Sequence, residues 1–387
     1  MQFSLDSLPE SSSFFGNGVS NERVSEFIKF WRGTSSDFIN LLVIAGSKTS
    51  EIEGISAAGA TSKSREYTAV ADATLLLYGP KESCNVSLPP LPAGVSPALI
   101  SYVSSKFLKI NPIVLATGLS QHPSFPHLRI DLPEYGPSLC VSTGKSMSKE
   151  RVDNLWERGF QIGKKIKQPL VISECVPSGT TTAQAVLIAM GIDVKDLITG
   201  SLIKPVFELK RKVIKSGLLA AQLGNDPLPK IAIAAVGDPF QAVAVGMLLG
   251  ARETGQQVLL GGGSQMIAVL ALALASIKPK MRELFVEGVC IATTSWLVNE
   301  KNVNSGDKGS TELLLNLVGD KYQANLFGVS SGLSFKNSRS KVLRDYELGY
   351  IKEGVGAGAL SLLAQINGVS CSDLTTACEN AVDELLG

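Results

Sequence analysis

Short apolar runs recur along the chain, each followed by a turn rich in Gly, Ser or Pro and then by a longer helical pattern. The runs are continuous rather than alternating, which is typical of strands covered on both faces. This pattern gives seven candidate strands, at Leu41–Ala45, Thr74–Tyr78, Ile113–Ala116, Leu170–Glu174, Ile231–Val236, Val258–Leu260 and Leu284–Ala292. Helices are predicted at Thr180–Met190, Phe240–Thr254 and Gln265–Ser276. The repetition predicts an α/β fold with a doubly wound, mainly parallel, Rossmann-like sheet, and the uneven spacing fits a closed barrel less well.

The two ends of the chain differ from this middle part. Further helical patterns occur at Asn21–Arg32, Ser340–Tyr346, Gly356–Ile366 and Asp373–Leu386, with Ser372 as the predicted cap of the last. We therefore expect residues 1–40 plus 335–387 to form a small helical domain, and residues 41–334 to form the Rossmann-like nucleotide-binding domain. The segments GVSSGLSFKNSRS and Asn299–Ser310 are predicted to be a turn-rich connection and a surface loop.

Composition excludes several classes of function. Lys plus Arg total 36 and Asp plus Glu total 35, so charge gives no reason to expect nucleic acid or an anionic membrane as a partner. The most apolar window, Met266–Ile277, is shorter than the roughly 20 residues that span a bilayer. The amino terminus lacks a secretory pattern, and the six cysteines include no C-x-x-C pair, so we expect a cytoplasmic protein with reduced thiols. The two histidines disfavour a His-rich zinc site.

A candidate phosphate site follows the strand that ends at Glu174. A Pro-Ser-Gly turn leads into three threonines that open a helix. The N–H groups and partial positive charge of a helix amino terminus suit a phosphate, and threonine hydroxyls add donors. The candidate ligands are Ser178, Gly179, Thr180 and Thr181. Ordinary N-capping by Ser178 or Thr180 is the alternative interpretation.

Two further segments resemble strand–glycine–helix junctions. In the first, Gly237 precedes Asp238, a natural N-cap with Pro239 at the first helical position. In the second, an apolar run leads into Gly262, Gly263 and Ser264. Junctions of this kind in one parallel sheet lie at the same carboxyl edge, where ligands bind, so we expect all three segments to contribute to a phosphate site.

Glu353 is the candidate catalytic carboxylate. It precedes Gly354, Gly356 and Gly358 and then an apolar helix. Small residues leave room for a pocket, and a desolvated glutamate in a pocket can act as a general base. A surface glutamate at a helix start is the alternative. The GVGAGA stretch matches a dinucleotide-binding pattern only weakly, because no convincing strand precedes it.

The ordered set of motifs resembles the nicotinate-nucleotide:dimethylbenzimidazole phosphoribosyltransferases of cobalamin assembly, in particular their archaeal and cyanobacterial branch. The resemblance rests on ISECVPSGTTTAQA, VGDPFQAVAVG, LLGGGSQMIAVLALA, KEGVGAGALSLL, AGSKTSEIEGISAAGAT and LPAGVSP. Two departures stand out. Pro177 is introduced into the loop that carries Glu174, where the family's asparagine is missing, and Lys352 replaces a glycine before Glu353.

The resemblance implies transfer of the phosphoribosyl group of nicotinate mononucleotide to a benzimidazole-type or purine-like base, with no metal or cofactor and with a homodimer as the assembly. It implies Glu353 as the base that accepts the acceptor's N–H proton, and Glu174 as a group that hydrogen-bonds the ribose or stabilises its developing positive charge. Candidate base-pocket residues lie in two loops and are Ser56, Ala57, Gly59, Gly94 and Ser96. A non-catalytic nucleotide-binding protein and an enzyme acting on another sugar phosphate are the alternatives.

Overall fold

The computed structural model describes residues 8–34, 36–83, 88–89, 91, 93–194, 196–200, 206–301 and 309–387. Its eight strands form one sheet in the order β1-β8-β7-β6-β5-β2-β3-β4. The strands are β1 (Ser13–Phe15), β2 (Ile39–Ala45), β3 (Ile113–Thr117), β4 (Leu128–Arg129), β5 (Leu170–Cys175), β6 (Val258–Gly261), β7 (Val289–Thr294) and β8 (Gly328–Ser331). β1 pairs antiparallel with β8, and the other neighbours are parallel. The predicted α/β class is confirmed.

Helices cover both faces of the sheet. In chain order they are α1 (Asn21–Thr34), α2 (Ser62–Tyr78), α3 (Pro80–Ser83), α4 (Ala98–Leu108), α5 (Lys149–Lys165), α6 (Gly179–Ala189), α7 (Phe207–Ala221), α8 (Pro229–Val236), α9 (Pro239–Glu253), α10 (Ser264–Ser276), α11 (Arg282–Val286), α12 (Ser295–Val298), α13 (Ser310–Tyr322), α14 (Lys341–Arg344), α15 (Ala357–Ile366) and α16 (Cys371–Leu386). Short 3₁₀ turns occur at Lys48–Glu51, Val141–Thr143, Pro279–Met281 and Asp345–Leu348. Within the described ranges, no helix is both long and apolar enough to cross a bilayer.

Three of the seven predicted strands are wrong in whole or in part. Thr74–Tyr78 is the end of α2, which begins at a capping box between Thr61 and Ser64. Ile231–Val236 lies in α8, which Pro229 opens, and Leu284–Ala292 is divided between α11 and β7. The physical reason is shared by the first two: a helix buried on most sides is apolar on most sides, so a short run of it has the same pattern as a buried strand.

Three strands, β1, β4 and β8, lie in segments where the sequence pattern did not indicate a strand. β8 occupies the start of the segment predicted to be a turn-rich connection, since its buried residues are mostly Gly and Ser. β1 adds a short antiparallel edge. The last helix is capped by Ser370 rather than by Ser372. Most of the predicted loop Asn299–Ser310 lies outside the described residues.

The core has two apolar clusters, one on each face of the sheet. Along β2, Leu41 and Val43 belong to one cluster and Leu42 and Ile44 to the other, as the alternation of side chains along a strand requires. The terminal helices α1, α15 and α16 share the second cluster with α2 and α4. Residues of both predicted domains therefore contribute to this cluster, and the division into 1–40 plus 335–387 and 41–334 stays a prediction.

The order of the strands fixes where a ligand can bind. β2 and β5 are neighbours in the middle of the sheet. The chain continues from β2 to β3 and β4 on one side, and from β5 to β6, β7 and β8 on the other. In open α/β sheets, ligands bind beyond the carboxyl ends of strands at such a change of direction. The segments that follow β2 and β5 are therefore expected to form the site.

Candidate functional site

A cavity of about 520 Å³ lies where the segments after β2 and β5 meet. Its volume falls within the range of small-molecule sites. Its wall combines the turn from β5 into α6, the segment before α4, the loop after β2 and the segment that leads into α15. The chemically distinctive wall residues are Ser56, Thr68, Asp72, Ser96, Glu174, Cys175, Gly179, Thr180, Thr199, Lys210 and Glu353. Glu353 and Thr180, far apart in the sequence, thus line one cavity.

Glu353 is held by four hydrogen-bond donors. Its Oε2 accepts from the Thr293 hydroxyl at 2.9 Å and the Thr294 N–H at 2.8 Å, both at the end of β7. Its Oε1 accepts from the N–H groups of Gly354 (3.2 Å) and Gly358 (3.1 Å). These donors stabilise the carboxylate, but burial outweighs them and raises the pKa of Glu353 to about 7. The group is therefore about half ionised at neutral pH and fixed in orientation.

In the segment before α15, three residues that are not glycine have the left-handed backbone conformation, which glycine adopts more readily. Ile351, Lys352 and Val355 have φ angles of +66°, +59° and +56°. The Val355 N–H donates to the Glu174 carbonyl at 2.9 Å, which joins this segment to the end of β5. A Cβ on Gly358 would lie 2.0 Å from the Thr293 carbonyl carbon, so only glycine lets the start of α15 approach β7 this closely.

Glu174 is the second carboxyl group of the wall. Its Oε2 accepts from the Val176 N–H at 2.8 Å. Burial, followed by the charge of Asp238, raises the pKa of Glu174 to about 8, and the charges of Glu353 and Asp72 act in the same direction. Glu174 is therefore mostly protonated at pH 7 and can donate a hydrogen bond to a ligand.

Lys210 of α7 places a cation beside the start of α6. Its Nζ donates to the Thr180 hydroxyl at 3.1 Å and to the carbonyl oxygens of Ile198 (3.4 Å) and Thr199 (3.5 Å). Burial, and then the charge of Lys352, lowers the pKa of Lys210 to about 8. An anion bound here would stabilise the charged ammonium.

Asp72 of α2 lies on another part of the same wall. It accepts from the Ser96 hydroxyl at 2.6 Å and from the Cys175 thiol at 3.3 Å. Burial raises the pKa of Asp72 to about 6 and holds that of Cys175 well above its ordinary value. Cys175 is thus a neutral donor rather than a nucleophile.

The structure brings many, but not all, of the candidate residues to the site. Ser56, Ala57, Gly94 and Ser96 line the main cavity, as do Glu174, Gly179, Thr180 and Glu353. Gly263 and Ser264 line an adjoining cavity of about 70 Å³ that shares Glu174, Thr180 and Glu353 with the main one. The candidate residues that line neither cavity are all described by the structure and are Gly59, Ser178, Thr181, Gly237, Asp238 and Gly262.

Asp238 makes contacts that join three helices, and its predicted role at the phosphate stays a prediction. It caps α9, as predicted, and accepts from the Gln241 N–H. It also accepts from Thr182 Oγ1 at 2.5 Å and Gln265 Nε2 at 2.8 Å, so its fully buried carboxyl joins α6, α9 and α10. Gly237 follows a helix rather than a strand, because α8 replaces the predicted strand there.

Several amide groups predicted to hold phosphate are already used. The Gly179 N–H donates to Val176 O, the Thr181 N–H to Ser178 O and the Gly262 N–H to Ala292 O. Ser178 occupies the N-cap position of α6 with φ +67° but makes no capping bond through its side chain. The Gly59 carbonyl accepts a hydrogen bond from Arg65 Nη1. The side chains of Thr180, Ser264 and Lys210 are therefore better placed for an anion than these amides.

This chain is similar to known proteins in both sequence and fold. A family model described as "Phosphoribosyltransferase" matches residues 135–295, which include the turn after Glu174 and both glycine segments but not Glu353. Two solved structures share the fold. CobT from Thermus thermophilus aligns with a TM-score of 0.56 at 14% identity, covering 93% of each chain. A nicotinate-nucleotide-dimethylbenzimidazole phosphoribosyltransferase from the same organism aligns with a TM-score of 0.55 at 15% identity, covering 95% of this chain and 92% of the other.

The phosphoribosyltransferase family model thus matches the middle part of this chain, and the two solved structures share its fold. Relatives of much higher identity place the chain more narrowly. It is 53% identical to a UPF0284 protein of Prochlorococcus marinus strain MIT 9313, covering 98% of this chain and 94% of that one. It is 49% identical to a UPF0284 protein of Parasynechococcus marenigrum strain WH8102, with 99% and 96% covered. The chain belongs to the UPF0284 family.

Proposed function

We propose that this protein transfers the phosphoribosyl group of nicotinate mononucleotide to a benzimidazole-type base, giving nicotinate and an α-ribazole-phosphate-like product for the lower ligand of cobalamin. One observation carries the proposal. A buried lysine beside a helix amino terminus and three carboxyl groups with raised pKa values, two of them glutamates, line a single cavity of about 520 Å³. This arrangement suits a ligand that has a phosphate at one end and reacts at a carbon several bonds away.

The phosphate is assigned to the part of the wall that contains Lys210 and Thr180. The ammonium group and the hydroxyl are 3.1 Å apart, so one phosphate oxygen can contact both. The positive end of the α6 dipole reinforces the attraction. Ser264, at the amino terminus of α10 in the adjoining cavity, supplies a further hydroxyl. Fixing the phosphate positions the anomeric carbon for reaction.

The acceptor base is assigned to another part of the wall, which contains Ser56, Ala57, Val95 and Ser96. Glu353, in its ionised form, accepts the ring N–H proton of the acceptor. The freed nitrogen electron pair forms the new bond to the anomeric carbon as the old glycosidic bond breaks. The electron pair of that old bond leaves with the pyridine nitrogen, which was cationic, so nicotinate departs without needing a proton. Attack from the face opposite the leaving group inverts the anomeric configuration.

Glu174 is assigned to the ribose. Its pKa of about 8 keeps it mostly protonated at pH 7. Of the two roles that the sequence resemblance allows, hydrogen bonding to a ribose oxygen therefore fits the free protein better than stabilisation of positive charge. The predicted homodimer also stays part of the proposal.

The test uses the purified chain, nicotinate mononucleotide and a panel of bases, with released nicotinate measured by chromatography. We expect release that depends on the base. Glu353→Gln is expected to lower kcat by about 10²- to 10⁴-fold while the nucleotide still binds, because the amide cannot take the proton. Nucleotide binding without turnover on any base would instead support the non-catalytic alternative. Turnover of another sugar phosphate in preference to the mononucleotide would support the third alternative.

A further inference from the structure

Lys352 occupies a backbone conformation that favours glycine. Its φ is +59°, and the preceding Ile351 also has a left-handed φ of +66°. Left-handed backbone is strained for residues with a Cβ and unstrained for glycine. Strain of this kind persists only where the surroundings hold it, and it clusters at ligand sites. The lysine side chain is therefore a candidate for a function that glycine cannot perform.

The Lys352 side chain extends from the Glu353 segment toward the phosphate end of the cavity. Only 3% of the residue is exposed. Its Nζ contacts Glu300 Oε1 at 2.5 Å, Gly200 O at 2.9 Å and Thr199 Oγ1 at 3.4 Å. Glu300 accepts in addition from the Thr199 hydroxyl at 2.7 Å.

Gly200 lies between Lys352 and the other buried lysine. A Cβ built on Gly200 would be 3.2 Å from Lys210 Nζ and 3.4 Å from Thr180 Oγ1, while the Gly200 carbonyl accepts from Lys352. Among the described residues, Lys352 forms an ion pair with Glu300, whereas Lys210 forms an ion pair with no carboxylate. The charge of Lys352 also lowers the pKa of Lys210, because two ammonium groups repel each other. Buried charge without full compensation is costly, and a bound anion would relieve it.

The adjoining cavity gives such an anion access to Lys352. Its volume of about 70 Å³ is bounded by Thr180, Ser264, Glu300 and Lys352, and it shares its wall with the main cavity at Thr180. An anion held by Lys210 and Thr180 therefore lies next to the space that Lys352 borders.

We propose that Lys352 is a second cation for the phosphate of the donor nucleotide, and that Glu300 is the internal counter-ion from which it turns when phosphate binds. This rests on the proposed function for the identity of the donor, but the cation site itself requires only phosphate. Lys352 directly precedes Glu353 in the chain. Movement of Lys352 toward the phosphate is therefore also expected to change the orientation of the Glu353 carboxylate.

The test is isothermal titration calorimetry of the full chain with three probes: nicotinate mononucleotide, its nucleoside lacking phosphate, and inorganic phosphate. The variants are Lys352→Met, Lys352→Gly, Lys352→Arg and Glu300→Gln, with thermal melting as a check of folding. Lys352→Gly removes the charge and relieves the backbone strain, so it remains informative if the methionine variant does not fold. Lys321→Met is the matched control, since it breaks a lysine–aspartate pair with Asp226 outside both cavity walls.

We expect loss of the lysine charge to weaken the mononucleotide and phosphate by about 10- to 100-fold, the size of a charged hydrogen bond, and to leave the nucleoside within about twofold. Arginine is expected to restore binding, and Glu300→Gln to tighten it. Weakening of all probes alike, or equal weakening by Lys352→Met and Glu300→Gln, would show a purely structural ion pair and overturn the inference. Wild-type phosphate binding that depends on Lys352, without phosphoribosyl transfer, would refute the proposed function and leave the cation site standing. Absence of phosphate binding in the wild type would overturn the inference directly.

Discussion

Replacing Thr293 with valine should raise the pKa of Glu353. Of the four donors to this carboxylate, three are backbone N–H groups, and the Thr293 hydroxyl, 2.9 Å from Oε2, is the single side chain. A carboxylate has about four acceptor positions, so the four donors fill them, and the hydroxyl is the donor that can rotate away when Oε2 is protonated. Valine keeps the β-branched shape at this buried strand position but removes the hydrogen bond.

The magnitude follows from the loss of one hydrogen bond to a charged group, about 1.5–3 kcal/mol. At 1.36 kcal/mol per pKa unit, this corresponds to about one to two units. The pKa of Glu353 would thus move from about 7 toward roughly 8 to 9. At pH 7 the ionised fraction, and with it kcat/KM, would fall by about 5- to 50-fold, while activity at high pH would be retained.

The assay is the pH dependence of kcat/KM for nicotinate release. Its acidic limb should shift to higher pH in Thr293→Val and return in Thr293→Ser, which keeps the hydroxyl. A folded valine variant whose acidic limb coincides with that of the wild type would refute the assignment of this limb to Glu353. A uniform loss of activity at every pH would point to displaced geometry instead.

Three other predictions concern the same site. Gly358→Ala should lower the melting temperature and abolish transfer, because its Cβ would overlap the Thr293 backbone, whereas Gly33→Ala in α1, with no atom within 4 Å of its Cβ, should be neutral or stabilising. Donor binding at pH 8 should take up protons, because phosphate stabilises the charged form of Lys210; calorimetry in buffers of different ionisation enthalpy should show the uptake, and Lys210→Met should remove it. Burial gives Glu174 a pKa above its unfolded value, so its contribution to stability is complete below about pH 4.5 and is lost as pH rises toward about 8. Denaturant titrations of Glu174→Gln should therefore show a smaller loss of unfolding free energy over that interval than the wild type, and an equal loss would contradict the shift.

The parts of the fold predicted correctly from the sequence are those where local pattern and burial agree. β2, β3, β5 and β6 are continuous apolar runs bounded by turns, and all lie in the parallel sheet. α8 could not be distinguished from such a strand, because its eight residues, six of them buried, are short enough for either structure. β8 could not be found because its Gly and Ser residues, buried by neighbours distant in sequence, have the composition of a turn.

In the candidate site, too, the residues found from the sequence are those with a local signal. Glu353 and the threonine-bearing turn carry local signals, namely a carboxylate beside glycines and a strand that ends before a helix. Lys210 carries none, since it belongs to a basic helical stretch, Glu208–Lys215, that has the composition of a solvated face. Its burial arises from the approach of Thr180 and the Ile198–Thr199 carbonyls, which the sequence does not predict. The contacts of Asp238 could not be predicted for the same reason, because its buried partners Thr182 and Gln265 come from two other helices.

The charge distribution of the cavity is suited to the direction of the proposed reaction. Lys210 and Asp72 line the main cavity and Lys352 lines the adjoining one, whereas Glu174 and Glu353 line both. Nicotinate mononucleotide has a phosphate anion at one end and, at the other, a pyridinium ring that also bears a carboxylate, so its favourable orientation places the phosphate near the lysines and the cationic ring nitrogen near the ionised form of Glu353. Transfer removes the cation, because the electron pair of the broken bond neutralises the pyridine nitrogen. The attraction between the ring nitrogen and Glu353 is therefore lost when the bond breaks and Glu353 takes the proton, and nicotinate is left as an anion, whereas the phosphate of the product remains held. Release of nicotinate is thus expected to precede release of the phosphorylated product.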